Sequence, residues 1–135
     1  MTAIVEALVA YLKADAGVAA LVGTDVYPVE LPKDKVPDMP LEAIIVRAEG
    51  GESNTGTGPI IRLTVQIEST GGKYYQAGQV DEAAFSALRD LHRDVASGLL
   101  LHSALPGQPT QARAAVTGWP VVVRSATVIS DNGID

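Results

Sequence analysis

Gly51 and Gly56 stand at the separation of the outer glycines of a phosphate-cradling loop, in which backbone N–H groups wrap a polyphosphate and a Lys after the second glycine reaches its outer phosphates. That Lys is missing. Thr57, Gly58 and Pro59 follow instead, and the chain then enters IIRLTVQIE, which alternates like a strand and does not open a helix whose N-terminus could receive an anion. Nucleotide chemistry is therefore not expected of GGESNTGTGP, Gly50 to Pro59. The two histidines carry no catalytic pattern either: His92 falls beside an apolar helical stripe and His102 in a loop, neither at a triad or metal-ligand spacing. Asp34 with Asp38, and Asp90 with Asp94, are near neighbours in sequence, but acid–base work needs two carboxylates facing one pocket. Solvated charge explains them. There is no G-x-S-x-G elbow, and the absence of cysteine removes thiol nucleophiles, thiolate metal sites and disulfides together. No enzyme activity, metal or cofactor is expected.

The elements that would position any site follow from periodicity. In a chain of 135 residues, 47% apolar but with one Phe, one Trp and four Tyr, a single core must be built from Val, Leu, Ile and Ala. Ile4, Leu8, Tyr11 and Leu12 form the stripe of a first helix with Thr2 as N-cap, and Asp15 caps a short second helical turn carrying Val18, Leu21 and Val22 that Gly23 ends. TDVYPVELP reads as a short extended piece. Pro28, Pro32, Pro37 and Pro40 then mark a stiff surface loop or arm, residues 28–40, through which no central strand can run. Leu41 to Glu49 reads as a strand covered on both faces. In the next strand Ile61, Leu63, Val65 and Ile67 share one face, and Arg62, Thr64, Gln66 and Glu68 share the other. These two strands make a long antiparallel hairpin. A helix is predicted from about Tyr74 to Ser97 on Ala77, Val80, Ala84, Leu88, Leu91 and Val95, with Gly98 as its stop. LLLHSALPGQP reads as a turn-rich connection to two last strands, QARAAVTGW and PVVVRSATVIS, and residues 131–135 as a polar tail. The expected fold is a single α+β domain over residues 1–135, a two-layer sandwich whose mostly antiparallel sheet is packed on one face by two helices.

Binding is the remaining role for residues this poor in chemistry. A hairpin usually needs about 2 to 5 connecting residues, so the ten of residues 50–59 are either a tolerated insertion or a partner contact. Glu52, Ser53, Asn54, Thr55 and Thr57 in that loop, and Lys33, Asp34 and Lys35 in the Pro-rich one, are the contact candidates. Trp119 is either a core plug or an interface anchor, and Tyr74 and Tyr75 at a loop-to-helix junction divide the same way. The net charge of -6 opposes non-specific grip on nucleic acid or anionic lipid. Glu6 and Lys13 interrupt the N-terminal apolar run and nothing approaches the ~18 residues of a membrane span, so no membrane association and synthesis in the cytosol are expected.

The run IVEALVAYLKADAGVAALVGTDVYPVELP, with its L-K-A-D and V-A-A-L-V-G segments and a V-Y strand leading into a Pro-containing loop, resembles the tail-completion or tail-terminator proteins of long-tailed bacteriophages. AIIVRAEG, RLTVQIEST and the F-S-A-L-R-D-L-H helix agree in layout. The resemblance implies a structural virion protein of the tail and neck: a homo-oligomeric, six-fold ring that caps the tail tube protein, ends tube growth, and meets the head–tail connector or head-completion protein. DNA would pass through such a ring without sequence-specific binding, and surplus acidic residues would help to line the channel. A closed head-to-tail ring needs two different surfaces on each copy, for which a polar strand face, sheet edges and projecting loops are suitable. A tail-tube or neck subunit, and less readily a small-ligand binding domain, are the other readings of the same layout.

Overall fold

A computed structural model describes residues 2–33, 41–49, 53–54, 60–113 and 118–131. The chain is α+β, with one sheet and, among the described residues, three helices: α1 Thr2–Ala14, α2 Ala16–Val22, β1 Val26–Pro28, β2 Ala43–Ala48, β3 Ser53–Asn54, β4 Ile60–Thr70, α3 Tyr74–Asp90, β5 His92–Ala96, β6 Leu99–Arg113 and β7 Pro120–Asp131. The sheet runs β1-β2-β4-β7-β6-β5, with β3 paired to β4. Only β1 and β2 pair in parallel.

The first helices form where the sequence places them. Thr2 already lies within α1 and so is not its cap. Asp15 does cap α2: it is extended, at φ -72 and ψ 126, and its carboxylate accepts the Val18 N–H at 3.0 Å, satisfying a donor the helix leaves free. Gly23 ends α2 at φ 62 and ψ -118, a region costly for any residue with a Cβ. Ile4, Leu8, Leu12, Val18 and Val22 are buried against one face of the sheet.

That face is the one the alternation assigns. Ile61, Leu63, Val65 and Ile67 of β4 are buried while Arg62 is exposed, and β2 is buried at four successive positions, Ala43 to Val46, as a strand covered on both faces must be. The hairpin is longer than expected. β2 and β4 pair from Ala43↔Thr70 to Ala48↔Val65, Glu49 N–H donates to the Thr64 carbonyl at 2.8 Å, and β3 resumes the ladder at Ser53↔Arg62 and Asn54↔Ile61. Part of the apparent connecting loop is therefore strand.

The second half of the chain departs from the sequence reading. α3 stops at Asp90, because Leu91 turns extended at ψ 120 and its N–H closes the last turn onto Leu88. His92–Ala96, predicted to be helical, is the strand β5. Leu91 keeps its place in the core; Val95, read as part of the same apolar stripe, is 70% exposed. Ser97 and Gly98, at φ 52 and 79, make the tight turn of a β5–β6 hairpin, since two successive positive φ values give the twist that adjacent strands require. Gly98 is thus a hairpin residue and not a helix stop. LLLHSALPGQP, predicted to be a turn-rich connection, lies inside the 15-residue β6, which accommodates its prolines at register shifts and along the sheet margin. β7 is the strand expected, crossing the sheet between β4 and β6.

Candidate assembly surfaces

The long axis of β7 separates the candidate contact residues. Asp131 pairs with Ile60 at one end and Pro120 with Arg113 at the other. Twelve residues at about 3.3 Å each put those ends roughly 40 Å apart. Ser53 and Asn54 belong to the first end, through their pairing with Arg62 and Ile61. Tyr74, Tyr75 and Trp119 belong to the second. Glu52, Thr55, Thr57, Asp34 and Lys35 lie outside the described residues. Lys33 is exposed at the end of the segment that follows β1.

The aromatic end is assembled by contacts between distant parts of the sequence. Gln76 accepts the Lys73 N–H at 3.1 Å, which fixes the start of α3 and so the direction of its first two residues. The Tyr74 hydroxyl donates to the Ala112 carbonyl at 2.9 Å, and Arg113 sits 5.6 Å over the Tyr74 ring while donating to the Gly118 carbonyl at 2.9 Å. These bonds draw β6, β7 and the α3 N-terminus together around the half-buried Trp119. Tyr75, on the next position of the helix, is 75% exposed and bonded only to its own helix, through Gln79.

Behind this end lies a buried ion pair. Arg124 of β7 donates to both Asp81 carboxylate oxygens, at 3.1 and 2.6 Å, with side chains 7% and 4% exposed. It also donates to the Gly107 carbonyl and lies 4.5 Å over the Phe85 ring. A bidentate pair of this kind is geometrically exacting, so it fixes α3 against the irregular Pro106–Pro109 stretch of β6. A shallow cleft of about 330 Å³ opens beside it, lined by Gly78, Asp81, Glu82, Pro109, Gln111 and Val122.

A second hollow, about 410 Å³, lies between α1 and β5 against Ala10, Tyr11, Ala14, Asp94 and Val95. The Tyr11 hydroxyl donates to the Ala87 carbonyl at 2.6 Å, tying α1 to α3. Burial, with Asp94, Asp15 and Asp90 nearby, pushes its pKa up to about 12. Neither hollow holds a constellation for catalysis. His102, expected in a loop, is in β6, and its Nε2 is 2.8 Å from Asp131, yet no hydroxyl among the described residues bonds the imidazole. His92 is exposed on β5. Among the described residues no group of three or more His, Asp or Glu side chains could hold a metal ion, and no helix is long and apolar enough to cross a membrane.

The sheet margins bear on how copies could meet. They are poor templates for strand addition: Pro28 ends the three-residue β1, Pro106 and Pro109 interrupt the half of β6 beyond β5, and Arg93 at φ 52 breaks the β5 ladder between His92 and Asp94. The outer face of the sheet carries pairs instead, Arg47 to Glu68 at 3.0 Å and Ser125 to Glu49 at 2.7 Å. Sequence reasoning named the aromatic residues but missed Arg113, whose place depends on β6 being a strand, and the Arg124–Asp81 pair, which joins β7 to α3 across residues far apart in sequence.

Among curated proteins none matches the sequence significantly. A chain in a solved structure described as the virion of a native gene transfer agent particle has the same fold, with a TM-score of 0.65 at 20% identity over 96% of each chain. A second solved chain, at 11% identity and a TM-score of 0.48 over 91% of this chain and 90% of that one, is too distant to carry an argument. The family model described as tail completion protein gp17 matches residues 6–106, which takes in α1 through the first half of β6. The chain belongs to this tail completion family and is a structural component of a phage-like virion tail.

Proposed function

We propose that the protein caps the tail tube as a homo-oligomeric ring, six-fold in the family resemblance, ends tube polymerisation, and forms the joint to the head connector. The observation that supports this reading most directly is the separation of two unlike surfaces on one rigid strand pair. The β3–β4 end carries polar residue types, Ser53, Asn54 and Arg62, whereas the Tyr74–Tyr75–Trp119 end is aromatic and built on a helix start. A part inserted between a tube and a connector must present different surfaces in two directions, and closure of a ring asks the same of each copy. The hairpin end and the Lys33 segment are the docking elements in this proposal, one toward the tube or a neighbour and one toward the connector. Acidic side chains lining the channel would let DNA pass without adhering.

Replacing Glu52–Thr57 by a two-residue turn tests the hairpin. The variant should keep its circular dichroism and unfold cooperatively, yet leave tail tubes uncapped and overlong in electron micrographs. Tubes of normal length with that variant would remove the hairpin from the mechanism.

A further inference from the structure

The cleft beside α3 has features that its own chain does not use. Gly78 is in the interior of α3, where glycine costs about 1 kcal/mol relative to alanine. A Cβ built on it would meet nothing within 4 Å, so packing inside the subunit does not require the glycine. Glu82, one turn further along and exposed, has no ion partner among the described residues, and Asp81 behind it is held by Arg124. Tyr75, the most exposed of the large apolar side chains described, stands on the same helix one turn before Gly78. A backbone-close floor, a free carboxylate and an aromatic lip suit a cation on an apolar stem, which means the guanidinium of an arginine.

An arginine with no ion partner among the described residues lies toward the opposite end of the same chain. Arg62 is exposed, faces away from the helices, and pairs across the ladder with Ser53 and Ile129, neither of which is charged. Strand addition along the blunted margins is disfavoured, which leaves side-chain docking as the way for copies to meet. We propose that Arg62 of one copy docks in the Tyr75–Gly78–Glu82 cleft of a second copy. Because β7 holds the two partners at opposite ends of one subunit, they cannot meet within it. Every copy offers both, so the contact is head-to-tail and propagates. This inference names the partner of the aromatic end and rests on the ring reading above.

The absence of cysteine makes a direct test available. The double variant Arg62→Cys with Glu82→Cys, mildly oxidised alone and on tail tubes, should give a ladder of dimers and higher species on non-reducing gels. Each single variant should stay almost entirely monomeric. A parallel charge exchange guards against misfolding: Glu82→Arg or Arg62→Glu alone should weaken self-association about tenfold, and the two together should restore it. No ladder in either setting, or cross-links from the single variants alone, would overturn the head-to-tail contact. If tubes are capped without a 62–82 cross-link, this inference fails and the capping role survives; a ladder formed by a protein that leaves tube length unchanged would support the contact and remove the capping role.

Discussion

The long strand β6 has a covered half and a bare half, and the two are held by different forces. In the covered half Leu99, Leu101 and Ala104 lie in the core beneath the helices, where apolar burial is non-directional and tolerates small adjustments. In the bare half most of Leu105 to Arg113 is exposed, and it is held by the irregular ladder to β7 and by directed side-chain bonds from Arg124, Tyr74 and Arg113. The core therefore supplies the stability of the domain. The bonded half sets where the aromatic end stands.

Four measurements test that contrast. Asp81→Ala carries the largest expected effect, about 3–5 kcal/mol in urea unfolding, since Arg124 would be left charged and buried without its partner. A loss as small as that of a surface substitution would show that the bare half is not held by this pair. Leu63→Ala should cost about 2–5 kcal/mol, through lost transfer energy and a residual cavity under the covered half. Tyr11→Phe removes a hydrogen bond worth about 1 kcal/mol and changes the alkaline limb of stability. The folded hydroxyl holds its proton to about 12 whereas the unfolded one releases it near 10, so the wild-type loses stability as pH rises through that window. The variant should be flatter there in equilibrium unfolding at pH 9 to 12; equal slopes would mean that another group carries the dependence. Leu105→Ser, on an exposed part of β6, should change stability by less than about 0.5 kcal/mol. A larger loss would mean that the bare half is packed after all.

The first half of the molecule was legible because its signals are local. Asp15 three residues before Val18 is a cap, and the alternation of β4 states which residues face the core. The second half was misread for a physical reason. Leu88, Leu91 and Val95 are spaced three and four apart, so a helical stripe seems to continue through residues that form a margin strand, where exposure of Val95 carries little penalty. Ser97-Gly98 beside the apolar Leu99–Leu101 was the available clue, a hairpin turn taken for a helix stop. Once that hairpin is lost, β6 disappears into its prolines, and with it the partners of Arg124 and Tyr74. Tyr74, Tyr75 and Trp119 could be flagged by type; that they share one end with Arg113 could not, because sequence separations such as that of Tyr74 from Ala112 leave no periodic trace. α2 is a full helix of seven residues where the sequence suggests a short turn after the Asp15 cap, so the described residues hold three helices where two are expected.

Prolines and a kink at the rims of the sheet also bear on life before assembly. A molecule with open ladders can pair edge to edge with its neighbours and fibrillise. By withholding that route, the rims disfavour edge-to-edge pairing of copies through their backbones.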